Sequence, residues 1–131
     1  MADAQQIVER FMAAARSGDV ASLTAMLAAD FRLVEPPSLP YGGEYQGPDG
    51  FLQFLAALSA EVQMLPAEDE YVAADDKVWR RSVFRARSKR NEAVIEQPFA
   101  ELFTVGPDGL IVRIEPFYWD THAVGAVLSA V

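Results

Sequence analysis

The 131-residue sequence predicts one α+β domain whose helices gather on one face of an antiparallel sheet. Three observations carry that prediction. Apolar residues recur at helical spacing through the first half of the chain. From Pro66 to Trp119 they alternate with polar residues at the strand period, and after Asp120 a short apolar segment returns to helical spacing. No Ser- or Gly-rich linker, internal repeat or low-complexity run divides the chain, so residues 1–131 read as a single domain with one core.

Asp3 caps a first helix running to Arg16, with Ile7, Val8, Phe11, Met12 and Ala15 on one face, and Ser17-Gly18 ends it. Asp19 caps a shorter second helix whose Val20, Leu23, Met26 and Leu27 face inward, closed by Ala29-Asp30; the two pack as a hairpin. A strand over 31–35 alternates Phe31, Leu33 and Glu35 against Arg32 and Val34 until Pro36-Pro37 stops it. The stretch PPSLPYGGEYQGPDG reads as a loop with a turn at Tyr45-Gln46-Gly47, and from Asp49 a third helix carries Phe51, Leu52, Phe54, Leu55 and Leu58. Strands follow near 68–74, 77–88, 92–105 and 110–119, with turns at Asp75-Asp76, Lys89-Arg90 and Pro107-Asp108. Asp120 or Thr121 caps a last helix over 123–130.

Charge and hydropathy suggest a register. Setting Arg87 opposite Glu92 pairs Val83 with Glu96, Ser82 with Gln97, Arg80 with Phe99 and Val78 with Glu101; Val105 faces Leu110 in the last hairpin. One face then collects Val78, Phe84, Ala86, Ile95, Phe99, Phe103, Val105, Leu110, Val112, Ile114, Pro116 and Tyr118. The other carries Arg85, Arg87, Glu92 and Glu96 as a charge ladder, with Trp79, Pro98, Phe117 and Trp119 clustered away from it. Arg80, Ser82, Gln97, Glu101 and Tyr118 fall on the apolar, helix-facing side, and Glu35 shares the phase of Phe31 and Leu33. Charges there must be paired, protonated or solvated by a cavity. Two readings fit: a diagonal Arg80–Glu101 ion pair in a filled core, or a pocket in which a few polar groups converge between apolar walls.

Composition removes several classes of function. With no cysteine there are no disulfides, thiolate metal sites or cysteine nucleophiles, and a single histidine, His122, cannot build a multi-histidine zinc site. A formal charge of -8 argues against nucleic acid and anionic membrane surfaces as partners. The beginning MADAQQIVERF lacks the basic and apolar regions of a signal peptide, no run approaches the ~20 apolar residues of a membrane span, and a cytoplasmic location is expected.

The segments VERFMAAARSGDVASLTAMLAADFRLVEPP, YQGPDGFLQFLAAL and FAELFTVGPDGLIVRIEPFYWDTHAVGAVL, in this order and spacing, resemble the nuclear transport factor 2-like superfamily. Within it the chain is similar to the SnoaL-like polyketide cyclases and the ketosteroid isomerases. The resemblance implies a cystatin-like fold, a cone of curved sheet wrapped by helices on its concave face, and a homodimer through the outer sheet face, where Trp79, Phe117 and Trp119 lie. In the ketosteroid isomerases the general base precedes a proline at the end of the first strand, which implies that role for Glu35 before Pro36; Glu101 takes the place of their protonated oxyanion-hole acid. Phe11 stands where they carry a tyrosine donor, a departure that weakens a steroid isomerase reading, since one lost oxyanion donor removes ~2.7 to 4 kcal/mol of transition-state stabilisation. The limonene epoxide hydrolases match less well, with Phe117 at a position where they carry an acid. In the SnoaL-like cyclases a single acid-base aspartate lies near the end of the last strand, which implies Asp120; helix capping is the other role open to it.

The expected function is cofactor-free acid-base chemistry on a small apolar, carbonyl-containing or polycyclic molecule, with Glu35, Glu101 and Asp120 as candidate catalytic groups and no metal. Phe11, Tyr41, Arg80, Ser82, Gln97, Phe99 and Tyr118 are the candidate substrate contacts, Glu101 being either a neutral donor or the partner of Arg80. His122 reads as a first-turn surface residue, and Met12, Met26 and Met64 as core or pocket wall. The competing expectation is a module that binds a small molecule or a second copy without chemistry on the same fold.

Overall fold

The computed structural model describes residues 3–131. α1 (Ala4–Ser17) begins with a capping box, in which the Asp3 carboxylate accepts from the Gln6 N–H and the Gln6 side chain accepts from that of Asp3. It ends at Gly18, whose φ of 72° is the left-handed conformation that stops a helix. Asp19 caps α2 (Val20–Ala25), and β1 (Leu27–Glu35) follows at once. Leu27 therefore belongs to the strand and not to the helix. β2 (Gly43–Gln46) and β3 (Val62–Met64) flank α3 (Gly47–Glu61), after which come β4 (Glu70–Ala74), β5 (Lys77–Ser88), β6 (Val94–Val105), β7 (Ile111–Tyr118) and α4 (Thr121–Ser129).

The sheet has seven strands in the order β2-β1-β7-β6-β5-β3, with β4 also paired to β5. It is a curled half-barrel and it is mixed: β1 runs parallel to β7. The expected all-antiparallel sheet fails at that one junction, because no hairpin links two strands so distant in sequence and pairing direction is set by the fold as a whole. The long meander β4-β5-β6-β7 is antiparallel throughout.

The register of β5 against β6 differs from the expected one by two residues: Arg87 faces Val94, Ser82 faces Phe99, and Arg80 faces Glu101. Glu92 adopts a φ of 63° and lies in the turn, which removes it from the ladder. A slip of two preserves every face, so Val78, Phe84, Ala86, Ile95, Phe99 and Phe103 are buried as expected. At β7 the register shifts between Thr104 and Val105, where Arg113 and Ile111 are successive partners. The bulge leaves Val112 without a partner and puts Ile111 in the core in its place.

Two apolar clusters fill the interior. One joins α1 and α2 to the β1 and β7 side of the sheet through Val8, Phe11, Leu23, Phe31 and Ile111. The other lies under α4, where Tyr41, Phe84, Ile95, Val124 and Leu128 pack together. Asn91 donates to the Val127 and Ala130 carbonyls at the end of α4, which pins the tail helix to the β5–β6 turn.

Between Glu35 and β2 the chain makes a tight loop through Pro36, Leu39 and Gly42. A Cβ on Gly42 would lie 2.1 Å from the Pro36 carbonyl oxygen and 2.9 Å from that of Leu39, backbone that cannot swing away. Gly42→Ala is expected to cost at least about 2 kcal/mol, several degrees in Tm, through overpacking of this loop. Thermal unfolding followed by circular dichroism checks this, and an unchanged midpoint would show that the loop tolerates the clash.

Candidate functional site

A cavity of about 680 Å³ lies between α1, α3 and the curled sheet. Its apolar walls include Phe11 from α1, Phe51 and Phe54 from α3, and Phe84 and Phe99 from the sheet. Met64, Leu65, Pro66 and Ala67 also line it. That segment exists because the edge of β5 is shared: β3 pairs with Ala86–Ser88 and β4 with Lys77–Arg81, so the chain crosses between them over the middle of β5. Leu65 N–H bonds the Arg85 carbonyl, Arg85 the Pro66 carbonyl, and Ser82 Oγ the Glu68 carbonyl, and these bonds help to hold it there.

Glu35 occupies one end of the cavity. It is the last residue of β1, its alternation with Phe31 and Leu33 turns it inward, and it is 3% exposed. The Tyr118 hydroxyl donates to Glu35 Oε1 at 3.0 Å. Since that uses the only Tyr118 proton, the Tyr41 hydroxyl, 2.9 Å away, is the donor to Tyr118. Among the described residues no arginine or lysine forms an ion pair with Glu35. Burial therefore pushes its carboxyl up to about 8; the Tyr118 bond works the other way and the charge of Glu101 adds to the rise. At neutral pH Glu35 holds its proton. Burial likewise raises Tyr118 and Tyr41 above the ordinary tyrosine value, with the neighbouring Glu35 charge adding to the rise in each.

Arg80 stands on the sheet at the other end. Its Nε donates to Glu101 Oε1 at 2.8 Å and its Nη1 to Asp69 Oδ1 at 2.7 Å, and Asp69 also receives Arg16. Burial opposes the charge of Arg80, but the two carboxylates outweigh it and raise its pKa. Burial opposes the charge of Asp69 too, and the Ser82 hydroxyl beside it together with the bonds from Arg16 and Arg80 overcome it and hold its carboxyl below the usual range. Phe99 lies between the two ends: its ring centroid is 5.6 Å from the Arg80 guanidinium carbon and 5.0 Å from the centroid of Tyr118.

Of the expected site residues, Phe11, Glu35, Arg80, Ser82, Phe99, Glu101 and Tyr118 line one cavity. Three do not. Asp120 caps α4 through its bond from the Ala123 N–H at 3.0 Å, away from the cavity. Gln97, in phase with Phe99 but at the far end of the strand, grips the Asp120 backbone with both ends of its amide instead of facing a ligand. Tyr41 is 1% exposed and reaches the site only through Tyr118. Glu101 is the partner of Arg80, directly opposite it and not diagonal. Sequence reasoning missed Asp69, which sits just before β4, where the strand pattern says nothing about which side chains turn inward.

The fold and the cavity together define a class of protein. The SnoaL-like domain family matches residues 8–114, and the chain belongs to that family. An uncharacterized protein of Mycobacterium tuberculosis, also present in Mycobacterium bovis, is 32% identical over 120 residues covering 89% of each chain. Among solved structures, a nuclear transport factor 2-like protein from Burkholderia xenovorans LB400 is similar with a TM-score of 0.87 and 26% identity over 96% of this chain and 95% of that one. A protein of unknown function with a cystatin-like fold from Xanthomonas campestris has a TM-score of 0.83 at 20% identity, covering 98% of this chain and 100% of its own, a likeness of fold alone. Among the described residues no group of acidic or histidine side chains could hold a metal ion, and no helix is long and apolar enough to cross a membrane.

The carboxyl of Glu35 makes stability depend on pH in a defined direction. Its pKa is about 8 in the folded chain against 4.5 for an ordinary glutamate, so the folded state binds the proton more tightly. The contribution to stability is full below 4.5 and is lost as pH rises toward 8, at up to about 1.4 kcal/mol per pH unit. Glu35→Gln, which keeps an acceptor for Tyr118 and carries no charge, is expected to gain on the native chain steadily from pH 5 to pH 8 in urea unfolding. Parallel stability profiles would mean that the carboxyl is solvated.

Proposed function

We propose that the cavity binds a small apolar, carbonyl-containing or polycyclic molecule and that Glu35 moves a proton on it without a cofactor, in an isomerisation, cyclisation or dehydration. One observation carries this reading: a buried carboxyl faces an apolar cavity with a hydroxyl, and among the described residues no cation, as its partner. A carboxyl poised near neutral pH both takes and returns a proton at low cost, which is what an isomerising or cyclising group must do. Ionised Glu35 removes a proton from carbon next to a carbonyl; the neutral acid then delivers it to another position of the same molecule. Tyr118 and Tyr41 hold the carboxyl in place, and the phenylalanine walls keep out the water that would solvate it.

The test is exchange of the activated C–H protons of 2-tetralone, an apolar bicyclic ketone, for deuterium, followed by proton NMR. Exchange is expected to be accelerated by the native chain and lost by roughly 10²–10⁴-fold in Glu35→Gln, the usual contribution of a positioned acid-base group. Equal exchange by the two proteins would favour a binding module that does no chemistry.

A homodimer through the outer sheet face is proposed as well. Trp79 and Phe117 pack there with centroids 5.7 Å apart, and they are 41% and 50% exposed; Trp119, just after β7, is 76% exposed. Together they form an apolar patch suited to a second copy of itself. Light scattering is expected to give twice the chain mass for the native protein and the chain mass for Phe117→Lys. A monomeric native protein would overturn the assignment.

A further inference from the structure

The cavity meets a second space at the last turn of α1. A surface groove of about 450 Å³ lies outside it, lined by Glu9, Ala13 and Arg16 from α1 and by Ala67, Glu68, Asp69 and Tyr71. Arg16 and Ala67 line both the groove and the cavity, so the two spaces are divided where these side chains stand. Ala67 contributes one methyl group. Arg16 spans more: its guanidinium leaves α1 and donates from Nη2 to Asp69 Oδ2, joining the helix to the crossing segment between β3 and β4. Water reaches the cavity lining on this side. Ala15 and Arg16 at the end of α1, and Met64 and Pro66 leading into the crossing segment, line the cavity and are exposed.

The three partners of the Asp69 carboxylate are held unequally. Arg80 Nη1 bonds Oδ1 at 2.7 Å, in a pair whose side chains are 11% and 4% exposed, and the Tyr71 hydroxyl donates to Oδ2 at 3.2 Å. The Arg16 side chain, in contrast, is 52% exposed. Breaking the Arg80 pair would strand a charge in apolar surroundings. Releasing Arg16 would not, because its guanidinium turns into water and Asp69 keeps both Arg80 and Tyr71.

We propose that the Arg16 side chain is a gate. Paired with Asp69 it divides the groove from the cavity; released into water it opens a passage between them for small uncharged molecules. The Arg80–Asp69 pair is the fixed post, since it holds the carboxylate in place whether the gate is open or shut. Ionic strength governs the gate, because salt weakens an ion pair that is half in water far more than an enclosed one. Access is separate from chemistry at Glu35, so the gate stands or falls independently of the proposed proton transfer.

The chain has no cysteine, so a single introduced thiol reports from one place. Ile114 is buried and lines the cavity, whereas Val124 is buried in the cluster under α4. Ile114→Cys and Val124→Cys, each with Arg16 or with Arg16→Ala, are labelled with N-ethylmaleimide, an uncharged ring-sized reagent, and followed by mass spectrometry. Labelling at position 114 is expected to be roughly fivefold faster with Arg16→Ala, the difference an exposed ion pair makes, with no change at position 124. Losing a nearby cation makes a thiolate harder to form, so a faster reaction reports access and not reactivity. Salt at about 1 M, which screens charges beyond about 3 Å, should speed labelling of the Arg16 chain and leave that of Arg16→Ala as it was. Leu55→Cys, on the α3 wall of the cavity, is a second reporter read in the same way. Equal labelling with and without Arg16 would overturn the gate. So would a rise shared by position 124, which would make the ion pair a structural one, or a salt effect of the same size in both chains.

Discussion

The constraint on which the rest of the structure depends is the enclosure of Arg80 on the inner face of the sheet. A guanidinium so shielded from water is tolerable only when carboxylates close on it, and Glu101 and Asp69 do so at 2.8 and 2.7 Å. Each partner ties in a different piece of the molecule. Glu101 is the residue directly across β5 and β6, so the ion pair and the strand register enforce each other. Asp69 belongs to the crossing segment between β3 and β4 and is also bound by Arg16, so α1, that segment and the sheet meet at one carboxylate. If the segment or the sheet moved, a charge would be left unpaired in apolar surroundings, which typically costs about 3–5 kcal/mol.

The opposite end of the cavity obeys the opposite rule. Glu35 is more deeply buried than Arg80 but among the described residues has no counter-charge, only the hydroxyl of Tyr118. Desolvation then wins over the hydrogen bond, and the carboxyl keeps its proton at a pH where a surface glutamate would have lost it. One cavity therefore holds a charge paired with carboxylates and an acid that is neutral. The separation is maintained by Phe99, which contacts both ends and is itself wedged against Phe84.

How much of this was legible in the sequence follows from what each signal measures. Alternation reports faces and not partners, so the inner face of β5 and β6 was right although the register was two residues off: Arg80, Glu101 and Phe99 all point inward in either register. A bulge breaks alternation locally, which is why Val112 and not Ile111 was expected in the core. β2 and β3, of four and three residues, are too short to show a period, and the tyrosine, glutamine and glycine of β2 and the following helix start read as a turn. Asp120 and Gln97 were drawn to the site by position alone. A capping aspartate and an amide that brackets it look like candidate polar groups in one dimension, and only the path of the chain shows that they secure α4.

The phase of Glu35, by contrast, was visible, and its meaning rested on what faced it. A carboxylate in step with Phe31 and Leu33 has either a cation or a proton, and the sequence offered Arg80 as the only nearby arginine on the inner face. Because Glu101 and Asp69 hold Arg80, no arginine or lysine among the described residues pairs with Glu35, and burial raises its carboxyl unopposed by a counter-charge. The two ends are coupled in this sense: removing a carboxylate from Arg80 would free positive charge in the same cavity and favour ionised Glu35. The neutral acid is thus favoured by its own burial and by the carboxylates that hold Arg80.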